Sequence, residues 1–270
     1  MLKSINESVI FLRKKGITEP QVGIILGSGL GKLVNEIKIE KSINYEDIPN
    51  FPISTVEFHK GKLIYGELKG KKVIAMQGRF HYYEGYSLNE ITFPVRVMKF
   101  LGIKSILISN AGGAMNLNFK KGSLMLLDDH INMIPDSPLR GKEYREFGSR
   151  FVDLSQPYSK TLNEKLLAIA KEKNIVLHKG IYVAVPGPQL ETRAEYRFLR
   201  STGADVVGMS TVPEAIVAKQ MGLSCAAISV ITDECDPDNL KKVDISEILE
   251  TAGKAEVGLI ELFVSLIEEL

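Results

Sequence analysis

Arg79, His81, Tyr83 and Glu84 fall within six residues of one another in the stretch Gln77-Gly78-Arg79-Phe80-His81-Tyr82-Tyr83-Glu84-Gly85. A guanidinium grips oxyanions in planar, bidentate fashion, and an imidazole can donate to the anion or to a sugar hydroxyl. Tyr83 offers a ring for a sugar face. Glu84 can orient Arg79 or bind a hydroxyl. Two further segments carry glycine and hydroxyl side chains: Leu26-Gly27-Ser28-Gly29-Leu30-Gly31 and Val207-Gly208-Met209-Ser210-Thr211-Val212-Pro213-Glu214. Backbone N–H groups and hydroxyls of this kind cradle an anion such as phosphate without a metal. The plainer alternatives are a surface turn with a solvated charge pair at 79–84 and a strand-to-helix turn at 27–31.

The better-known nucleotide loops do not fit. A dinucleotide fingerprint needs G-x-G-x-x-G, and the third glycine here comes one residue early. A P-loop needs G-x-x-x-x-G-K-[ST], and Gly31-Lys32 is followed by Leu33. The histidines His59, His81, His130 and His178 show no metal-ligand spacing, and no G-x-S-x-G elbow occurs, so zinc hydrolysis and serine acyl transfer are poorly supported. His130 and His178 read as structural or surface residues. Asn110-Ala111-Gly112-Gly113 follows an apolar run, where glycine lets backbone approach a ligand closely. Glu191 reads either as a first-turn acid of a helix or as a carboxylate accepting N–H donors from a planar heterocycle. Asp233, closing an apolar run, reads as a turn former or as an acid that meets a leaving group.

Short β-branched runs must position these groups. They lie at Val22–Leu26, Leu63–Leu68, Val73–Gln77, Ser105–Ser109, Ser123–Leu127, Lys179–Val185, Asp205–Gly208 and Cys225–Ile231. Lys69-Gly70-Lys71 predicts a hairpin between the second and third. Helical patterns occupy Met1–Gly16, Leu88–Leu101, Lys160–Lys173, Glu191–Thr202, Pro213–Met221 and Ser246–Glu269. The alternation predicts an α/β protein, with residues 1–270 as a single domain and a central mixed β-sheet flanked by helices. Ligand loops then belong at the carboxyl ends of strands. The polar stretch from Pro135 to Gln156 is long for a loop without function.

With 270 residues the chain can bury a core without staples, and its net charge of +1 argues against a nucleic-acid or membrane partner held by bulk charge. Cys225 and Cys235 form no C-x-x-C pair and fit a reducing cytoplasm. The charged N-terminal stretch does not read as a signal peptide, and no stretch is apolar enough to span a bilayer.

Taken in order, these motifs resemble the trimeric purine nucleoside phosphorylase family over nearly the whole chain. The resemblance rests on Gly78-Arg79-Phe80-His81 with Tyr83-Glu84-Gly85-Tyr86, on Asn110-Ala111-Gly112-Gly113, on Gly187-Pro188 with Glu191-Thr192, and on Gly203-Ala204-Asp205 through Glu214. It implies reversible phosphorolysis of purine (deoxy)ribonucleosides, chiefly inosine and guanosine, to free base and (deoxy)ribose 1-phosphate in purine salvage. It implies His81, Glu84 and Asp233 as catalytic residues, and Ser28, His59, Arg79, His81, Ala111 and Ser210 as phosphate ligands. Tyr83 and Met209 would hold the ribose. Tyr182, Leu190, Glu191, Val207 and Asp233 would hold the base, and Phe147 would reach into a neighbouring subunit's site. No metal or organic cofactor is implied; phosphate is a co-substrate, and the expected state is a cytoplasmic homotrimer.

Two positions depart from the family pattern. Asp233 stands where 6-oxopurine enzymes carry Asn, and an ionised Asp only accepts hydrogen bonds. Ile245 stands where the mammalian proteins carry a His near the 5′-hydroxyl. Both changes resemble the methylthioadenosine phosphorylases, so phosphorolysis of S-methyl-5′-thioadenosine or methylthioinosine is the alternative activity. A non-catalytic nucleoside-binding protein and a nucleoside hydrolase are alternatives of a different class.

Overall fold

The apolar runs form strands, as their composition predicts, and the computed structural model adds one strand that composition hides. It describes residues 1–56, 59–142, 145–242 and 244–270. The chain begins with α1 (Leu2–Lys14), followed by β1 (Val22–Leu26), β2 (Lys38–Asn44), β3 (Lys62–Leu68) and β4 (Lys71–Gln77). Helices α2 (Leu88–Ile91) and α3 (Phe93–Leu101) lead to β5 (Ser105–Ala114) and β6 (Leu124–Asn132). Then come α4 (Lys160–Glu172), β7 (Leu177–Ala184), α5 (Arg193–Ser201), β8 (Val206–Gly208), α6 (Val212–Gln220), β9 (Ser224–Glu234) and α7 (Ile245–Glu268).

The nine strands of the described residues make one mixed sheet in the order β2-β3-β4-β1-β5-β8-β7-β6-β9, and β9 also pairs with β5. Strands β5, β8, β7, β6 and β9 therefore close on themselves, while β2, β3, β4 and β1 extend as an open wing. β1 runs parallel to both β4 and β5, whereas β8 runs antiparallel to β5. The 69–71 hairpin forms as expected: Leu68 pairs with Lys71, and Lys69 and Gly70 both have positive φ, 51° and 76°. That geometry matches the right-handed twist of the flanking strands.

Several boundaries differ from the sequence reading, each for a physical reason. The helix expected over 88–101 is split at Thr92, because Pro94 in the first turn of α3 has no N–H to continue α2. β5 runs on through Asn110-Ala111-Gly112-Gly113, because β9 pairs with it as far as Ala114, with one register shift after Gly112. β6 likewise continues through Asp128-Asp129-His130. α5 starts at Arg193 with Thr192 as its cap, closed by a reciprocal Thr192–Glu195 capping box, so Glu191 lies outside the helix. The new strand, β2, is an exposed edge whose Lys and Glu residues mask any alternation.

Two apolar layers cover the sheet. Ile5, Leu12, Met98, Leu101 and Val217 from α1, α3 and α6 pack on one face. Leu162, Leu166, Leu259, Phe263 and Leu266 from α4 and α7 pack on the other. No helix among the described residues is long and apolar enough to cross a membrane.

Candidate active site

The loops and strand ends that carry the notable residues meet in one pocket. Ser28, Arg79, His81, Tyr83, Ala111, Leu190, Glu191, Val207, Met209, Ser210 and Asp233 all line it. β1 delivers Ser28, β4 delivers Arg79, β5 delivers Ala111 and β8 delivers Met209 and Ser210. Close approach demands glycine in two of these segments. A Cβ on Gly27 would stand 2.8 Å from the Ser109 carbonyl oxygen, and one on Gly208 would stand 2.3 Å from the Tyr182 hydroxyl.

Arg79 is only 1% exposed and is the electrostatic centre. Its Nε faces Glu214 Oε1 at 3.4 Å, and its Nη1 donates to Ser210 Oγ (2.8 Å) and Thr211 Oγ1 (3.1 Å). The Asn110 amide also donates to Thr211 Oγ1, at 2.8 Å. Nη2 makes no hydrogen bond, and Nε meets only the Glu214 carboxylate, as an ion pair. Thr211, at the start of α6, has φ 72°, a region β-branched residues rarely adopt and that costs about 1–3 kcal/mol. Its hydroxyl thereby reaches both Arg79 and Asn110. Thr211, Glu214 and Asn110 received no role from sequence; their signal was the Asn-Ala-Gly-Gly and Ser-Thr-Val-Pro-Glu motifs themselves.

His59 and His81 stack at a 5.2 Å centroid distance, and Tyr83 stacks on His81 at 4.7 Å. His59 Nδ1 lies 2.8 Å from the Arg79 carbonyl oxygen and 3.1 Å from the Arg79 N–H, and Nε2 pairs with the Ser28 hydroxyl at 3.0 Å. Burial, and then the nearby His81, lower its pKa to about 4, so His59 is neutral. It stands beside the pocket, lining an adjoining opening with Gly29, Lys32 and Gln77. The His81 pKa is also pushed down, chiefly by burial.

Glu84 differs from its expected catalytic role. Its Oε1 accepts from the His81 backbone N–H (2.8 Å) and from His81 Nδ1 (2.9 Å), while Oε2 accepts from Thr55 N–H (3.0 Å) and Thr55 Oγ1 (2.5 Å). Both oxygens are thus spent inside the protein. Glu84 is a positioning residue that fixes the His81 tautomer, with Nε2 as the free ring nitrogen. Burial alone would raise the Glu84 pKa, but the hydrogen bonds from His81 and Thr55 outweigh it and hold it at about 2. Its contribution to stability is complete above the ordinary value of 4.5 and is lost as pH falls towards 2. Urea unfolding across that range should show the acid-side loss of stability flattened in Glu84→Gln.

One other expectation needs correction. Tyr182 is fully buried and does not line the pocket; its hydroxyl accepts the Ser210 N–H at 3.4 Å and braces that loop from behind. Tyr196, at the first turns of α5, lines the pocket with Tyr83. Phe147 is 3% exposed, with the Arg96 guanidinium 5.3 Å from its ring centre and Phe100 packed edge-on at 6.2 Å. Within the single chain this ring packs in its own core. Phe151, four residues on, is 89% exposed.

Glu191 and Asp233 line the same pocket as Ser28. Burial first, with the charge of Asp233 adding to it, raises the Glu191 pKa. Val56, Ile245, Ile248 and Leu249 supply an apolar wall. Among the described residues no group of three His, Cys, Asp or Glu side chains could hold a metal.

The model of the phosphorylase superfamily matches residues 21–268. Over 269 residues the chain is 45% identical to purine nucleoside phosphorylase 1 of Bacillus subtilis strain 168, covering 100% of this chain and 99% of that one. It is 46% identical over 257 residues to the purine nucleoside phosphorylase of Mus musculus, covering 93% of this chain and 89% of that one. Among solved structures, isoform 2 of purine nucleoside phosphorylase from Schistosoma mansoni, in complex with cytosine and ribose-1-phosphate, superimposes with a TM-score of 0.95 at 40% identity, covering 99% of this chain and 96% of that one.

Proposed function

The chain belongs to the phosphorylase superfamily and, within it, to the purine nucleoside phosphorylases, which are pentosyltransferases, and we propose that its substrates are chiefly inosine and guanosine. The observation that supports this reading is a single pocket lined by two kinds of group. Ser28, Arg79, His81, Ala111 and Ser210 offer anion-binding groups, and Glu191 offers a carboxylate to the base.

In the reaction, phosphate sits against the Arg79 guanidinium, the Ser28 and Ser210 hydroxyls and the Ala111 N–H. Neutral His81, its Nδ1 proton held by Glu84, accepts a hydrogen bond from the P–O–H of monohydrogen phosphate through Nε2. Tyr83 and Met209 pack on the ribose. As the N-glycosidic bond breaks, its electron pair goes to the purine, which takes a proton from water, and positive charge builds on the ribosyl ring. The phosphate charge offsets the latter, and a phosphate oxygen bonds to C1′. Donors and charges fixed where charge develops are usually the largest catalytic contribution. Glu191 accepts the N1–H of a 6-oxopurine and, for guanine, also the 2-amino group. Leu190 and Val207 flank the base, and no metal or organic cofactor takes part.

We further assign a homotrimeric, cytoplasmic state. Phe151, in the long loop, is 89% exposed, and we assign it the contact with a neighbouring protomer. Phe151→Ala should raise the KM for nucleoside while leaving the fold intact by circular dichroism; an unchanged KM would remove Phe151 from the site.

One observation favours a second reading. The apolar wall of Val56, Ile245, Ile248 and Leu249 suits an apolar 5′ substituent. Inosine, guanosine, adenosine and S-methyl-5′-thioadenosine, assayed side by side, decide between the two. Inosine and guanosine should give the highest kcat/KM, and preference for S-methyl-5′-thioadenosine would reverse the assignment.

A further inference from the structure

Asp233 is held by a clamp that begins with an irregularity in the sheet. On the β5–β9 ladder Gly112 pairs with Ile231 and Gly113 with Asp233, so Thr232 is an extra residue on β9. A bulge of this kind re-aims the side chains beside it, and Thr232 and Asp233 both line the pocket. The Thr232 hydroxyl donates to Asp233 Oδ1 at 2.9 Å. The Cys235 thiol, 1% exposed, donates to Asp233 Oδ2 at 3.0 Å. Burial, and then the charge of Asp233, push the thiol pKa up, so Cys235 stays a protonated donor. Gly113 leaves the space for this contact: a Cβ there would stand 2.4 Å from Cys235 Sγ and 3.0 Å from Asp233 Oδ2.

Each carboxylate oxygen thus already receives a proton from the protein, and what remains towards the pocket is acceptor capacity alone. We propose that Cys235 is a positioning residue: with Thr232 it holds Asp233 as an acceptor-only carboxylate at the C6/N7 edge of the base, and this clamp extends the substrate class to 6-aminopurine nucleosides. The inference rests on the reading that Asp233 faces the base. An exocyclic 6-amino group donates to such a carboxylate. A 6-oxo group offers only lone pairs and meets it solely through a proton on N7. The clamp fixes the plane of the carboxylate, so its loss weakens the amino contact more than it weakens 6-oxopurine binding at Glu191.

The test compares the wild type with Cys235→Val, Cys235→Ala and Cys235→Ser on adenosine and inosine at saturating phosphate. Valine and alanine remove the donor, valine with little change in volume, and serine keeps it. The expected result is adenine release by the wild type, with adenosine kcat/KM lowered about tenfold relative to inosine in the Val and Ala variants, mainly through KM. Cys235→Ser should restore the wild-type adenosine-to-inosine ratio to within about twofold, which a general packing defect would not do. No adenine release by the wild type, or the same ratio in the Val, Ala and Ser variants, overturns the proposal. Asp233→Asn is run alongside: an unchanged ratio there would show that Asp233 does not face the base, a failure of the underlying reading and not of the clamp alone.

Discussion

Exchanging Arg79 for methionine is expected to lower kcat/KM for phosphate on the order of 10²–10³-fold and to destabilise the fold by about 3–5 kcal/mol. The two effects have separate causes. Arg79 lines the pocket, and its Nη1 organises the Ser210 and Thr211 hydroxyls. Its loss takes away a charge and leaves two hydroxyls without their orienting donor. Glu214 is 2% exposed and faces Arg79 Nε at 3.4 Å, so removing the cation leaves a buried, uncompensated carboxylate. Adding Glu214→Gln to Arg79→Met should return much of the stability in urea unfolding but none of the phosphate turnover. Recovery of turnover in the double variant would mean that Arg79 acts only as a structural counter-ion. Lysine is a poor substitute, because a point charge cannot face Glu214 with one nitrogen while donating to Ser210 and Thr211 with another.

Glu191→Ala should reduce kcat/KM for inosine about 10–100-fold, and for guanosine by more, since guanine offers two donors to the same carboxylate. The pH profile gives a second readout. Burial raises the Glu191 pKa, so the group protonates at a higher pH than an ordinary carboxylate. Once protonated it presents a donor towards the N1–H of a 6-oxopurine, and inosine turnover should decline as pH falls through that raised value. The decline should vanish in Glu191→Gln, whose low activity should not vary over the same range. Adenosine, with no proton on N1, should not share the acid-side decline. Unchanged inosine kinetics in Glu191→Ala would take Glu191 out of the base site.

Much of this architecture was legible in sequence because a buried strand leaves a composition signal. Val22–Leu26 and Val73–Gln77 are β-branched, bounded by turn residues, and central in the sheet. Lys38–Asn44 left none, since an exposed edge strand needs only backbone pairing. The second pairing of β9, with β5, was equally invisible, because closure is a long-range event that local periodicity does not record. Site residues followed the same division. Ser28, Arg79, His81, Glu191, Ser210 and Asp233 reach the pocket from motifs that could be read directly. Tyr182 and Phe147 came only from the family resemblance and Glu84 also from its residue type, and within the single chain each spends its polar or aromatic group inside the protein. The bulge at Thr232, which turns Asp233 into the pocket, depends on a register shift between strands more than a hundred residues apart in the chain.

Base release from inosine, with and without inorganic phosphate and with the sugar product identified, tests the central assignment most directly. The pocket predicts hypoxanthine only when phosphate is present, accompanied by an equal amount of ribose 1-phosphate. Hypoxanthine with free ribose in the absence of phosphate, or nucleoside binding without release of base, would contradict it.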